Sequence, residues 1–125
     1  MKENKIKVVK MDVGKSPVVK EIDNTLGALQ TEVGGLIECV YLDGGCLAVV
    51  NEEGKLNGME PNRRLGSDII CGPFFVCGDS EDGEFVSLDN KQVEEYMQMF
   101  SDVPIFTGEE PEIKPRMTFM GFEFK

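Results

Sequence analysis

With 125 residues, 41% of them hydrophobic and 29% charged, the chain is long enough for one hydrophobic core and too short for two. Its net charge of −10 is lopsided: residues 79–112 hold eleven acids against Lys91 alone, which repels phosphate backbones and argues against direct nucleic-acid binding. No apolar run has the length of a signal peptide or membrane span, so the expectation is a cytoplasmic protein with no membrane partner.

In chain order, Lys5 to Met11 alternates lysine with Ile6 and Val8, the period-two pattern of a half-buried strand. Gly14-Lys15-Ser16-Pro17 breaks it, and Val18 to Ile22 reads as the returning arm of a hairpin. Asp23 or Asn24 is placed to cap a helix over Leu26 to Val33, with Leu26, Leu29 and Val33 on one face and Gly34-Gly35 as the stop. Leu36 to Leu42 and Cys46 to Asn51 form a second hairpin through Asp43-Gly44-Gly45, residues that tolerate the positive φ of such turns.

After the turn at Glu52-Glu53-Gly54-Lys55, Asn62 is expected to cap a single helical turn over Arg63, Arg64 and Leu65. Ile69 to Gly78 reads as a core strand interrupted at Gly72-Pro73, and a proline there argues for an edge position or a bulge. Phe85-Val86 is a brief strand. Asp89 and Gln92 make a capping box for a helix over about Asn90 to Ser101, in which Val93, Tyr96, Met97 and Phe100 share a face. The fold class that follows is α+β: a small antiparallel or mixed sheet with two helices in a single domain over residues 1–101. Residues 102–125 form a proline-containing connector and a C-terminal apolar strand or arm, Met117-Thr118-Phe119-Met120-Gly121-Phe122-Glu123-Phe124, either buried on the chain's own sheet or exchanged in a homo-oligomer.

Catalytic machinery is sparse. Histidine is absent, and no G-x-S-x-G elbow, P-loop or zinc-protease motif occurs. Asp68 beside Ile69-Ile70 is the best single carboxylate for hydrolytic chemistry, a third-ranked reading. The four cysteines, Cys39, Cys46, Cys71 and Cys77, contain no C-x-x-C pair and sit among apolar neighbours, which reads as buried reduced thiols. The reading is therefore of a non-enzyme with no catalytic residues, no metal and no cofactor.

Binding is better provided for. The loop from Asn51 to Arg64 gathers Asn51, Asn57, Asn62, Arg63 and Arg64, and arginine's planar fork matches phosphate or carboxylate bidentately beside amides that read a base or ribose edge. The competing expectation is that the two arginines neutralise Glu52, Glu53, Glu60 and Asp68 of the chain itself.

The runs Glu21-Ile22-Asp23-Asn24, Asn51 to Gly58, Pro61-Asn62-Arg63 and Ile70 to Gly78 are similar to those of domain-of-unknown-function family 3846, a small family of phages, plasmids and their Firmicute hosts. The resemblance spans roughly residues 6–101 and brings no characterised activity. Its setting implies a mobile-element accessory, anti-defence protein in the host cytoplasm. The first expectation is sequestration of a small nucleotide-type immune signal by a homo-oligomer through Asn62, Arg63 and Arg64. The alternative is inhibition of a host defence protein by nucleic-acid mimicry through the acidic region from Asp79 to Glu112.

Overall fold

The computed structural model describes residues 3–113. In chain order these comprise β1 (Lys5–Met11), β2 (Val18–Asp23), α1 (Leu26–Val33), β3 (Ile37–Leu42), β4 (Cys46–Asn51), β5 (Pro61–Leu65), β6 (Asp68–Cys71), β7 (Phe74–Asp79), β8 (Phe85–Val86), α2 (Asn90–Met99) and a 3₁₀ turn at Pro111–Ile113. The main sheet runs β2-β1-β7-β4-β3, with β8 added to the end of β7, and every pairing is antiparallel. β5 and β6 form a separate hairpin. The fold is α+β.

Alternation along the central strands builds a core on each side of the main sheet. Val8, Leu47, Val49, Phe75 and Cys77 face one way and meet Leu29 and Val33 of α1. Val9, Ala48, Val50, Phe74 and Val76 face the other way and meet Ile70 of the hairpin with Tyr96 and Phe100 at α2. β4 is buried on both faces along its whole length, which is why Cys46 to Val50 is apolar without a break. Phe100 meets Phe74 edge to face, with ring centres 5.6 Å apart, and stacks beside Tyr96. Each fully buried aromatic or aliphatic side chain contributes about 1.5–3 kcal/mol by leaving water.

The Asp89–Gln92 capping box is formed in both directions, with Gln92 N donating to Asp89 at 2.7 Å and Asp89 N to Gln92 at 2.9 Å. α2 ends at Met99, with Phe100 as its cap. Gly44 and Gly45 carry the positive φ that the β3–β4 turn requires.

Four expectations from the sequence need correction. Thr25, not Asp23 or Asn24, caps α1, accepting from Ala28 N. Asp23 belongs to β2 and pairs with Lys5, while the buried Asn24 amide donates to the carbonyls of Glu3 and Phe85, so neither is available as a cap. Leu26 stays 60% exposed, so the apolar face of α1 is carried by Leu29 and Val33.

Asn62 starts no helical turn, because Pro61–Leu65 is a strand whose partner β6 follows at once through the turn at Gly66. Finally, Gly72-Pro73 ends one strand and precedes another. β7 begins only at Phe74, after the proline, and is central, paired with β1 on one side and β4 on the other. Of the connector and arm expected over 102–125, residues 102–110 carry no helix or strand, and residues 114–125 lie outside the described residues.

Candidate functional site

The ladder of β5 against β6 shifts register between Pro61 and Arg63, placing two residues of β5 against one of β6. The bulge turns two successive side chains inward, and Asn62 and Arg63 are both only 2% exposed. The Asn62 amide donates to the carbonyls of Met11 and Gly72, each at 3.0 Å, tying the end of β1 to the β6–β7 turn. Arg63 spends its fork on oxygens of the chain: Nε on the Phe100 carbonyl at 3.2 Å, Nη2 on the Lys15 carbonyl at 2.6 Å, and Nη1 on the Asn62 side-chain oxygen at 2.7 Å. Burial lowers its pKa from the ordinary guanidinium value. Among the described residues no carboxylate pairs with it; the oxygens that balance its charge include the carbonyl of Phe100, the cap of α2, at the negative end of the helix dipole.

Arg64 points the other way. It is exposed, lies over the Phe106 ring at 5.9 Å and reaches Glu112 at 3.5 Å, holding the connector against the hairpin. Asn51 is committed as well, its amide donating to Val33 O at 3.0 Å and its oxygen accepting from Glu53 N at 2.8 Å. Asn57 is exposed in the turn after β4, and its side chain makes no hydrogen bond among the described residues. The five residues singled out from the sequence thus do not converge on one pocket. Asn51, Asn62 and Arg63 are fastened to backbone, and Arg63 and Arg64 diverge, as neighbours that serve opposite sides of a strand must.

A cleft of about 410 Å³ does open beside them, between the β3–β4 edge and the hairpin. Val40, Val50, Ile70 and Cys71 line it together with Glu38 and Glu52. Asp68 pairs with Lys55 at the same cleft. Gly54 forms part of its wall because a Cβ there would stand 2.5 Å from the Cys71 carbonyl oxygen.

A second arrangement was not visible in the sequence. At the end of the sheet where β3 turns into β4, Gln92 donates to Gly44 O at 3.1 Å, the Tyr96 hydroxyl to Asp43 O at 3.4 Å, and Asp79 N to Gly45 O at 2.9 Å. These bonds draw Asp43, Asp79, Asp89 and Glu95 to one end of the molecule. Asp43 and Glu95 flank a groove of about 380 Å³ that is also lined by the edge of the buried Tyr96 and by the exposed Gln98 and Met99. None of the four carboxylates is ion-paired among the described residues, whereas Asp12, Asp23, Glu32 and Asp68 each have a lysine. Their field is felt inside: burial, the Cys46 sulfur, Glu95 and Asp43 together push the Tyr96 hydroxyl up to about 12.

Residues 6–101 match the family described as Domain of unknown function (DUF3846). The chain belongs to the DUF3846 family. No curated protein and no solved structure matches the chain significantly. The matched span of this DUF3846 chain runs from β1 to the start of the connector, so it takes in Arg63 and the acidic sheet end but leaves Glu112, the partner of Arg64, outside.

Chemically, this DUF3846 domain offers carboxylates beside exposed apolar surface, the combination that receives a lysine or arginine side chain by both its charge and its stem. All four cysteines are free, and burial comes first among the causes that raise each thiol pKa, leaving weak nucleophiles. No three of the Cys, Asp and Glu side chains come together as a metal site among the described residues. No described helix is long and apolar enough to cross a membrane.

Proposed function

We propose that the protein is a binding protein of mobile elements that acts by presenting its acidic sheet end, Asp43, Asp79, Asp89 and Glu95 with Glu94 beside them on α2, to a basic surface of a host protein. The observation that carries this reading is the gathering of these carboxylates at one end of the sheet with no base against them among the described residues. Carboxylates left unneutralised at fixed spacing imitate a phosphate row and steer a basic partner toward them. The setting implied by the family resemblance makes a nucleic-acid-binding defence protein the natural class of partner.

Immobilised protein challenged with host lysate should retain nucleic-acid-binding proteins and release them to duplex DNA or to rising salt, since an electrostatic contact between exposed charges is screened over about 10 Å at 0.1 M salt. Retention of proteins indifferent to both competitors would overturn the reading.

Capture of a nucleotide-type signal ranks second. Arg63 would have to abandon the Phe100 and Lys15 carbonyls to take part, which leaves Arg64 as the exposed arginine of the pair for an anion.

A further inference from the structure

On the α1 side of the sheet a cavity of about 430 Å³ opens between the start of α1, the start of β3 and the turn that leads into β8. Its walls are apolar. Leu29 is buried, Ile37 and Phe85 are partly buried against the same core, and Leu26 stands beside them with 60% of its surface exposed. Gly83, exposed in the β7–β8 turn, lines the opening, and a Cβ there would meet nothing within 4 Å.

One polar side chain is set into this apolar wall. Asn24 is only 5% exposed and lines the cavity. Its side-chain nitrogen donates to the carbonyls of Glu3 at 3.0 Å and Phe85 at 3.2 Å, and its backbone N–H to the Asn4 carbonyl at 2.8 Å. Two carbonyl acceptors decide which end of the amide is nitrogen, so the oxygen lies at the other end. Oδ1 accepts no hydrogen bond among the described residues. Among those residues the only sealed side-chain polar atom without a partner is Glu112 Oε1, so the Asn24 oxygen keeps an opening, and the cavity is the opening that Asn24 lines. An unpaired acceptor in so buried a side chain is costly, and the position calls for a donor from outside the chain. Glu84 is the charged residue of the lining, with no base against it among the described residues, which disfavours an anion.

We propose that this cavity binds a small, mainly apolar molecule through one N–H donor, which bonds Asn24 Oδ1 while the apolar body lies against Leu26, Leu29, Ile37 and Phe85. The volume falls within the range of small-molecule sites, whose linings combine apolar walls with few placed polar groups in the same way. The assignment gives a role to Leu26, which α1 leaves exposed beside the cavity, and to Asn24, whose run Glu21-Ile22-Asp23-Asn24 the acidic sheet end does not use. No residue of the lining belongs to that sheet end, so the inference stands independently of the function proposed above.

The test is an NMR titration of the full ¹⁵N-labelled chain with indole, an uncharged ring system with one N–H. Benzofuran, which has the same shape with oxygen in place of that N–H, is the comparison. Indole should give saturable shifts centred on the Asn24 side-chain amide and the backbone amides of Leu26, Leu29, Ile37 and Phe85. Its affinity should exceed that of benzofuran about tenfold, because only indole satisfies the Asn24 oxygen. Leu26→Asp changes an exposed position, leaves Asn24 and its bonds in place, and should weaken indole about tenfold by setting a charge against the apolar body. The absence of saturable shifts at these amides, shifts centred elsewhere, equal affinity for the two compounds, or binding indifferent to Leu26→Asp would each overturn the proposal.

Discussion

Arg63 Nε donates to the carbonyl of Phe100 at 3.2 Å, and this contact joins the hairpin to the residue that caps α2. Through its other nitrogens the same guanidinium holds the β1–β2 loop at Lys15 and orients Asn62, which in turn bridges β1 and the β6–β7 turn. One side chain therefore pins segments that are distant in sequence. The most distinctive motif of the chain is a clasp that assembles the face of the sheet bearing α2.

Replacement of Arg63 by alanine removes these bonds and strands the carbonyls of Lys15 and Phe100. The expected loss is about 3–5 kcal/mol, measured by urea unfolding. Arg63→Lys should recover only part of it, because an ammonium lacks the planar fork that reaches several oxygens at once. In native-state hydrogen exchange, the amides of the last turn of α2 should lose protection before those of β4.

Acid should weaken the sheet at Glu32. This carboxyl is pushed up by burial, but hydrogen bonds from Lys10 and Lys20, at 2.8 and 2.9 Å, outweigh that and hold its pKa below the ordinary value of 4.5. A carboxyl whose folded pKa is depressed stabilises the native state fully above its unfolded value and loses that contribution as pH falls through the folded value. Glu32→Gln should therefore cost about 1–2 kcal/mol above pH ~5. The two proteins should converge in stability as the pH falls well below 4. The check is urea unfolding of both at several pH values.

Thiol accessibility reports the layering of the sheet. Cys39 is half-buried on edge strand β3, while Cys46, Cys71 and Cys77 are buried. Burial is the first cause raising all four thiol pKa values, and Cys77 is raised furthest. Titration of the native protein with a disulfide reagent should show one faster thiol and three that react only on unfolding. Cys39→Ser should remove the faster phase.

The parts of this architecture that depend on local chemistry were legible in the sequence. The capping box at Asp89–Gln92 and the Asp43-Gly44-Gly45 turn each state their structure within a few residues, and each is found as read; β1 is the strand its alternation predicts but is not half-buried, since Val8 to Met11, Lys10 included, are all buried. The bulge in β5 was not legible, because Asn62-Arg63-Arg64 satisfies the local pattern of a capped turn. Only the pairing with Ile69 and Ile70 and the distant carbonyls of Met11, Lys15 and Phe100 make it a strand with two residues turned inward. The central place of β7 was hidden by Pro73, which lies just outside the ladder it seemed to interrupt. The acidic sheet end was hidden for a related reason: Asp43 and Glu95 are far apart in the chain and meet through bonds from Gln92 and Tyr96 to a turn.

The central claim is that the uncompensated carboxylates of the sheet end recognise a basic protein surface, and charge reversal tests it most directly. Glu94→Lys/Glu95→Lys alters two exposed positions on α2 and should change stability by no more than about 0.5 kcal/mol, as is usual for surface substitutions. In a capture experiment at ~0.1 M salt, where charge is still felt over about 10 Å, this variant should lose at least tenfold of the retained nucleic-acid-binding protein. Arg64→Ala should retain it fully. A reversed variant that folds as the original does and still captures the same partner at the same salt, or an Arg64→Ala variant that loses it, would contradict the account.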